Sequence, residues 1–362
     1  MRHMPPSVVE PAPMEAGVYN KSSRVQAGGL RPALPLLEQA AGTAALGPGD
    51  DPIVIADYGS SAGHNSLLPM SVAIAALRGR VGEGRAISVV HTDVPGNDFA
   101  GLFDTLLNDP DSYRRGARAV YSSAVGQSFY DQILPPESVS LGWSSWAVQW
   151  LSRTPAPIPD QIQVSYSRDI AVRTAYERQA AEDWREFLLH REMELRSGAR
   201  LVVITMALQD DGSFGYELIL PALYGALLDL VAEGLIGEQE VHRMVIPTVG
   251  RRRADFLAPF DSAGRFGRLV METAEVFLGE DGIWTEYERD RDKTAFGARW
   301  AAFCRASVFQ TLSLGLEGGA TDPRHGDFVA TLERNLAARL AKAPARMVLP
   351  LARLVVAKTP AV

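Results

Sequence analysis

The residues best suited to chemistry sit in two short runs. The first, IVIADYGSSAGHN from Ile53 to Asn65, is an apolar β-branched stretch ending in Asp57, then a turn in which Gly59 and Gly63 flank two serines. A strand, a tight turn and a helix start form the usual seat of a nucleotide-like cofactor, because free backbone N–H groups gather there. The second run, ISVVHTDVPGNDF from Ile87 to Phe99, leads to Asp93. A carboxylate at that strand end can accept from both hydroxyls of a ribose, which neutral side chains do poorly. The glycines are spaced Gly59-x-x-x-Gly63, and neither G-x-G-x-x-G nor a G-x-x-x-x-G-K-[ST] loop occurs. That spacing tilts the expected cofactor from a nicotinamide dinucleotide towards S-adenosylmethionine. An ordinary β–α turn is the competing reading.

Acid–base and metal chemistry are thinly supplied. The six histidines form no H-x-x-x-H or H-E-x-x-H pair, and there is no G-x-S-x-G elbow. Each histidine reads as structural or exposed. Methyl transfer to a group already ionised at pH 7 needs neither base nor metal, since in-line displacement gains most from proximity and orientation. A third run, GWSSWAVQWLSRTP, places Trp143, Trp146 and Trp150 within eight residues. On a helix, Trp146 and Trp150 would share a face. A core or dimer stripe is the bland reading. A pocket wall gripping a carboxylate through indole N–H is the functional one.

These residues need a scaffold, and the pattern supplies an α/β one. Strands are expected at Ile53–Asp57, Ala86–Thr92, 117–124, within LPPESVSLGWSS, and at Ala199–Ala207. Helices are expected over LRPALPLLEQAAGTAAL, Leu67–Arg78 and Phe99–Asn108. The alternation predicts a mainly parallel sheet. Arg173 to Arg196 reads as an amphipathic helix with Ala175, Ala180, Trp184, Phe187, Leu188 and Met193 on its apolar face. LILPALYGALLDLVAEGLI reads as a helix broken by Pro221. Charged residues 237–300 suggest a cap outside the main sheet. Asp327–Lys342 reads as a helix that Pro344 ends.

With 362 residues the chain can bury a large core, and its 46% hydrophobic and 22% charged content is ordinary for a globular protein. A net charge of −7 argues against nucleic acid or an anionic membrane as the main partner, and the triplet Arg251, Arg252, Arg253 is too short to reverse this. The lone Cys304 rules out an internal disulfide and points to a reducing, cytoplasmic setting. No apolar run reaches membrane-spanning length, and the start lacks the apolar core of a secretion signal. Pro-rich residues 1–13 are expected to form a flexible tail.

The runs occur in an order that resembles the SABATH family of plant and microbial carboxyl methyltransferases, over roughly residues 14–345. YNKSSRVQ resembles that family's S-Y-A-x-N-S-x-x-Q, IADYGSSAGHNS its I-A-D-L-G-C-S-S-G-P-N-T, and DVPGNDFAGLF its D-L-P-G-N-D-F-N-x-L-F. GQSFYDQILPPESV and SSWAVQWLSRTP are similar to its next two motifs, and AYERQAAEDWREFLLHREMELRSGARLVV and LVAEGLI also match family patterns. Any one match is moderate evidence, and the shared order makes it strong.

The resemblance implies a Rossmann-like methyltransferase sheet with helices on both faces plus an α-helical cap. Residues 14–210 with parts of 260–362 would bind S-adenosylmethionine, and about 211–320 would form the cap. Carried over by position, Tyr19 and Ser23 would contact the cofactor, Ser23 at its methionine end. Asp57, Gly59 and Asn65 would line the same site, Asp93 and Val94 would hold the ribose, and Ser128 and Phe129 would sit on the adenine. Gln26 and Trp150 would orient the substrate carboxylate. Trp146, Gln149, Met206, Ile219, Leu220, Cys304 and Ser307 would shape the acid pocket, with Trp146 standing where the family often has tyrosine. Some plant members associate D-x-F-N-x-P with magnesium, but the matching stretch here is His242 to Pro247, so no metal is expected. The implied activity is methylation of a small, largely apolar acid, aromatic, indole-type or medium-chain fatty, by a cytoplasmic homodimer that leaves S-adenosylhomocysteine. N- or O-methylation of a heterocycle or hydroxyl, or a non-catalytic cofactor-binding dimer partner, stand as alternatives.

Overall fold

Eight strands form one sheet in a computed structural model that describes residues 28–360. Tyr19, Ser23 and Gln26 lie outside the described residues. The strands are β1 (Ile53–Tyr58), β2 (Ile87–Asp93), β3 (Val120–Gly126), β4 (Val139–Ser145), β5 (Leu195–Met206), β6 (Arg265–Phe266), β7 (Leu269–Leu278) and β8 (Pro350–Lys358). Their order is β3-β2-β1-β4-β5-β8-β7-β6. The first five pair in parallel and the last three antiparallel. The sheet is thus mixed, with the expected parallel part joined to three antiparallel strands. Every residue of β4 is buried, as expected of a strand covered on both faces. Strand order reverses between β1 and β4, and such a switch point opens a crevice at the carboxyl ends of the strands.

One sheet face is covered by α1 (Leu34–Thr43), α2 (His64–Val81) and α3 (Phe99–Asn108), whose Leu37, Met70 and Leu102 share a core with Ile55 and Val89. The other carries α4 (Ile170–Glu194), whose Trp184, Phe187 and Leu188 pack with Ala56, Leu201 and Val203. A third apolar core belongs to a helical layer of α5 (Ile219–Ala232), α6 (Glu238–Arg243), α8 (Gly282–Asp290), α9 (Lys293–Cys304), α10 (Gln310–Ser313) and α11 (His325–Lys342), while α7 (Arg253–Leu257) joins the α4 face through Phe256. The layer meets the sheet at Met206, which ends β5, and at Leu349, just before β8. Among the described residues no helix is long and apolar enough to cross a membrane.

Several expectations need correction. Residues 237–300 do not lie wholly outside the sheet, because β6 and β7 extend it. Their charges are those of strands near an edge: Glu272 of β7 pairs with Arg200 of β5, and Glu275 with Arg353 of β8. The helical layer also continues past residue 320, through α11. Pro221 does not break its helix, since it sits in the first turn of α5, where its missing N–H costs nothing. The stretch over LRPALPLLEQAAGTAAL is a 3-10 turn at Arg31–Ala33 followed by α1, which ends at Thr43. On α4, Met193 is exposed, while Arg191 and Glu194 are buried.

Candidate active site

The turn after β1 is set by two glycines. Gly59 has φ +89, and a Cβ there would lie 2.4 Å from Cβ of Ala147. Gly63 has φ +84, starts α2, and leaves no room beside Leu102. The Gly59 and Ser60 N–H groups both donate to Thr92 O, which ties the turn to β2. At the end of β2, Asp93 accepts from Ser61 N at 2.7 Å and Val94 N at 2.8 Å. Loss of hydration raises this carboxyl to about 6 against those two N–H groups, and the charge of Asp57 adds to the rise.

These elements frame a cavity of about 420 Å³ at the switch point, lined by the turns after β1, β2, β3 and β4. Gly59, Asn65, Asp93, Val94, Ser128 and Phe129 all line it. Asp57 does not. Its carboxylate is buried behind the wall, accepting from Ser66 Oγ and pairing with His91 Nδ1 at 2.8 Å. His91 continues through Nε2 to Tyr113 OH at 2.8 Å, and that hydroxyl meets Ser122 Oγ at 2.7 Å. Asp57 is therefore a brace that fixes the start of α2 relative to β2. His91 is structural, as expected of a histidine without a partner motif.

The cavity suits an S-adenosylmethionine-sized ligand on its own features. The Gly59 turn brings backbone close where any Cβ would collide, Asp93 offers carboxylate oxygens for a diol, and Ser60, which also lines the cavity, has a buried hydroxyl with no hydrogen-bond partner among the described residues. Among the described residues no group of three or more His, Cys, Asp or Glu side chains could hold a metal ion.

A second cavity, about 70 Å³, adjoins the first. Trp146 and Trp150 line both. Its walls include Gln149, Met206, Ile219, Leu220, Cys304 and Ser307, so all the expected acid-pocket residues meet there. Gln163, Phe214, Tyr216, Leu223, Ile246, Thr248, Phe303 and Val308 also line it and had no motif to mark them. Ser307 and Val308 belong to a π-turn, Arg305–Phe309, that interrupts the helix after Cys304. Such wide turns re-aim side chains and recur at functional sites. Burial pushes the Cys304 thiol well above its ordinary range, so it lines the pocket as a neutral group.

Trp146 and Trp150 do not sit on a helix. They flank an irregular turn after β4, in which Trp146 has φ +55. Neighbours hold that turn on every side. Gln149 Nε2 donates to Trp146 O at 2.6 Å, and Gln149 Oε1 accepts from Thr205 Oγ1 at 2.8 Å. Tyr130 OH donates to Trp150 O at 2.6 Å. Asp183 of α4 takes both the N–H and the hydroxyl of Ser152. The buried Arg251 donates to Val148 O at 2.6 Å and to Ala180 O at 2.7 Å, so the arginine triplet begins with an internal strut. Arg191 likewise holds the loop after β3, donating to Phe129 O at 2.8 Å and Asp131 O at 2.9 Å. No described residue hydrogen-bonds to the indole N–H of Trp150. Gly29 packs on the Trp146 indole so closely that a Cβ would lie 2.3 Å from Cζ2.

Comparison with known proteins agrees with this fold. A family model described as "SAM dependent carboxyl methyltransferase" matches residues 14–353. A benzoic acid/salicylic acid carboxyl methyltransferase of Petunia hybrida is 29% identical over 271 residues, covering 71% of this chain and 76% of its own. Methyltransferase FUS9 of Gibberella moniliformis is 28% identical over 253 residues, covering 69% of this chain and 67% of its own. The solved structure of a loganic acid methyltransferase with S-adenosylhomocysteine has the same fold, with a TM-score of 0.73 at 21% identity over 96% of this chain and 99% of that one.

Proposed function

The chain belongs to the S-adenosylmethionine-dependent carboxyl methyltransferase family, and from that premise we propose that its substrate is a small, largely apolar acid, aromatic, indole-type or medium-chain fatty, held in the 70 Å³ cavity. The cofactor supplies a methyl group on a sulfonium sulfur. A carboxylate oxygen forms the new O–C bond as the C–S bond breaks, giving a methyl ester and S-adenosylhomocysteine. Anion and cation cancel in that step, so a wall of indole rings that excludes water favours it.

The observation that carries this reading is Trp150, which lines both cavities and whose indole N–H no described residue uses. A neutral donor at the junction can hold one carboxylate oxygen and leave the other aimed at the larger cavity. It adds no positive charge that would quench the nucleophile. Gln26 is the proposed second donor. Asp93 and Val94 serve the ribose, Ser128 and Phe129 the adenine, and the helical layer, about residues 211–320 together with α11, serves as the cap.

Trp150→Phe tests the reading by keeping the ring and deleting the donor. Ester formation should lose about 10- to 100-fold in kcat/KM, the range for a lost hydrogen bond to a charged group. Affinity for S-adenosylhomocysteine by calorimetry should stay within about threefold. A collapse of cofactor binding would instead make Trp150 a core residue.

A further inference from the structure

Among the described residues lining the acid pocket, Tyr216 is a buried polar residue whose hydroxyl is unused. It is 3% exposed, it lines the 70 Å³ cavity and not the larger one, and its hydroxyl has no hydrogen-bond partner among the described residues. The other side-chain amides and the serine of that wall are already engaged. Gln149 bridges Trp146 O and Thr205, Gln163 accepts from Ser165 N and donates to Thr248 O, and Ser307 donates to Phe303 O. A buried hydroxyl without a partner is costly and uncommon, and it marks a place where something outside the chain completes the bond.

The backbone points the same way. Tyr216 has φ +64, a conformation that costs a side chain with a Cβ and is rare for an aromatic residue. Six non-glycine residues among the described ones have such angles, and three of them, Ser61, Trp146 and Tyr216, line the two cavities. Gly215, φ +75, makes the turn possible, and Tyr166 OH donates to its carbonyl at 2.7 Å. Tyr216 N donates to Val348 O at 3.1 Å. Contacts on both flanks thus hold the backbone of Tyr216 in this conformation. Burial raises its ionisation well above the ordinary value, so at pH 7 it is a neutral hydroxyl able to donate and to accept.

We propose that Tyr216 is a specificity residue: the preferred acid carries a second polar group, a hydroxyl or a carbonyl, at the end remote from its carboxylate, and Tyr216 bonds to it. The proposal rests on the carboxylate reading above. Trp146 and Trp150, shared between the cavities, fix the reacting end of the acid. Tyr216, found only in the inner cavity, reads the other end. A site built to bond a substrate hydroxyl rejects the analogue lacking it far more strongly than an apolar pocket rejects a missing methylene.

The test uses three matched pairs with labelled S-adenosylmethionine: hexanoic and 6-hydroxyhexanoic acids, phenylacetic and 4-hydroxyphenylacetic acids, and indole-3-acetic and 5-hydroxyindole-3-acetic acids. Ester formation is measured for the native chain and for Tyr216→Phe. In at least one pair the hydroxylated acid should lead by about 10- to 100-fold in kcat/KM, and the variant should bring that ratio close to one. Tyr216→Phe should also melt no lower than the native protein, because it removes an unpaired buried hydroxyl and leaves the ring. A ratio unchanged by the variant, or no preference in any pair that is methylated, overturns the specificity role and leaves the carboxylate reading standing. No ester from any acid, while S-adenosylhomocysteine still binds, overturns the carboxylate reading and this proposal with it.

Discussion

The two cavities share the walls Trp146 and Trp150 and are otherwise built by opposite means. The larger is made by backbone. Four consecutive strands deliver their carboxyl-end turns to one place, and glycine geometry plus main-chain N–H groups do most of the shaping. The smaller is made by side chains drawn from the turn after β4, the end of β5, the start of α5, the segment around Ile246 and the π-turn after Cys304. A backbone-built site tolerates change in side chains and fails when the main chain moves. A side-chain-built site can be respecified one residue at a time. This division suits an enzyme whose methyl donor is constant and whose acid is the variable.

Gly59→Ala should have the largest effect on both cavities. The new Cβ meets Ala147 at 2.4 Å in a backbone with φ +89. Ala147 lies between the two shared tryptophans, so this substitution should damage both sites. We expect S-adenosylhomocysteine affinity to fall about 100-fold or more, from strain of ~1–3 kcal/mol plus the collision. Calorimetry measures the first site and acid KM the second. A loss confined to the cofactor would show that the turn after β4 adapts independently.

Asp93 sets the larger cavity apart through its response to pH. Its carboxyl stands at about 6, raised first by burial. Ribose hydroxyls donate to the ionised form, so cofactor affinity should weaken as pH falls through about 6, approaching tenfold per unit. Asp93→Asn should bind more weakly at pH 8 and lose that slope. Stability runs the other way. Because the folded value lies above the ordinary 3.8, the folded chain holds more protons than the unfolded one between 3.8 and about 6. This group therefore stabilises the unliganded protein as pH falls through that window, and the benefit is lost as pH rises through about 6. Calorimetry and melting curves from pH 5 to 8 should show opposite trends from the same carboxyl. A flat binding profile in the native chain would remove Asp93 from the ribose role.

The contrast also explains what the sequence makes legible. The larger cavity is local: Asp93 and the Gly59 turn are each a strand end plus the next few residues, and periodicity with turn chemistry finds them. Asp57 shows the limit, because residue type and spacing do not tell a lining carboxylate from one turned inward onto His91 and Ser66. The smaller cavity gathers chain segments about 150 residues apart, and its known half, from Trp146 to Ser307, came through family resemblance rather than pattern. Phe214, Tyr216 and Phe303 read as plain core residues. The buried ions are hidden for the same reason. Arg191 and Glu194 look like the wet face of α4, yet they hold Phe129 and Ile133 of the loop after β3 and Tyr58 at the end of β1. Charge that pairs inside a fold has the same letter as charge that meets water.

The mildest test asks how far the bracing of the smaller site matters. Thr205 donates to Gln149, whose amide in turn holds Trp146 O. Thr205→Val preserves shape and deletes one buried hydrogen bond, leaving Gln149 Oε1 short of its donor. A cost of about 1–2 kcal/mol in stability is expected, read as a lower melting temperature. Catalytically, the variant should raise acid KM by a few-fold, with S-adenosylhomocysteine affinity unchanged, because no wall of the larger cavity depends on that bond alone. If cofactor affinity falls in step with acid affinity, the turn from Trp146 to Ser152 moves as one body, and the two sites are coupled through it despite their different construction.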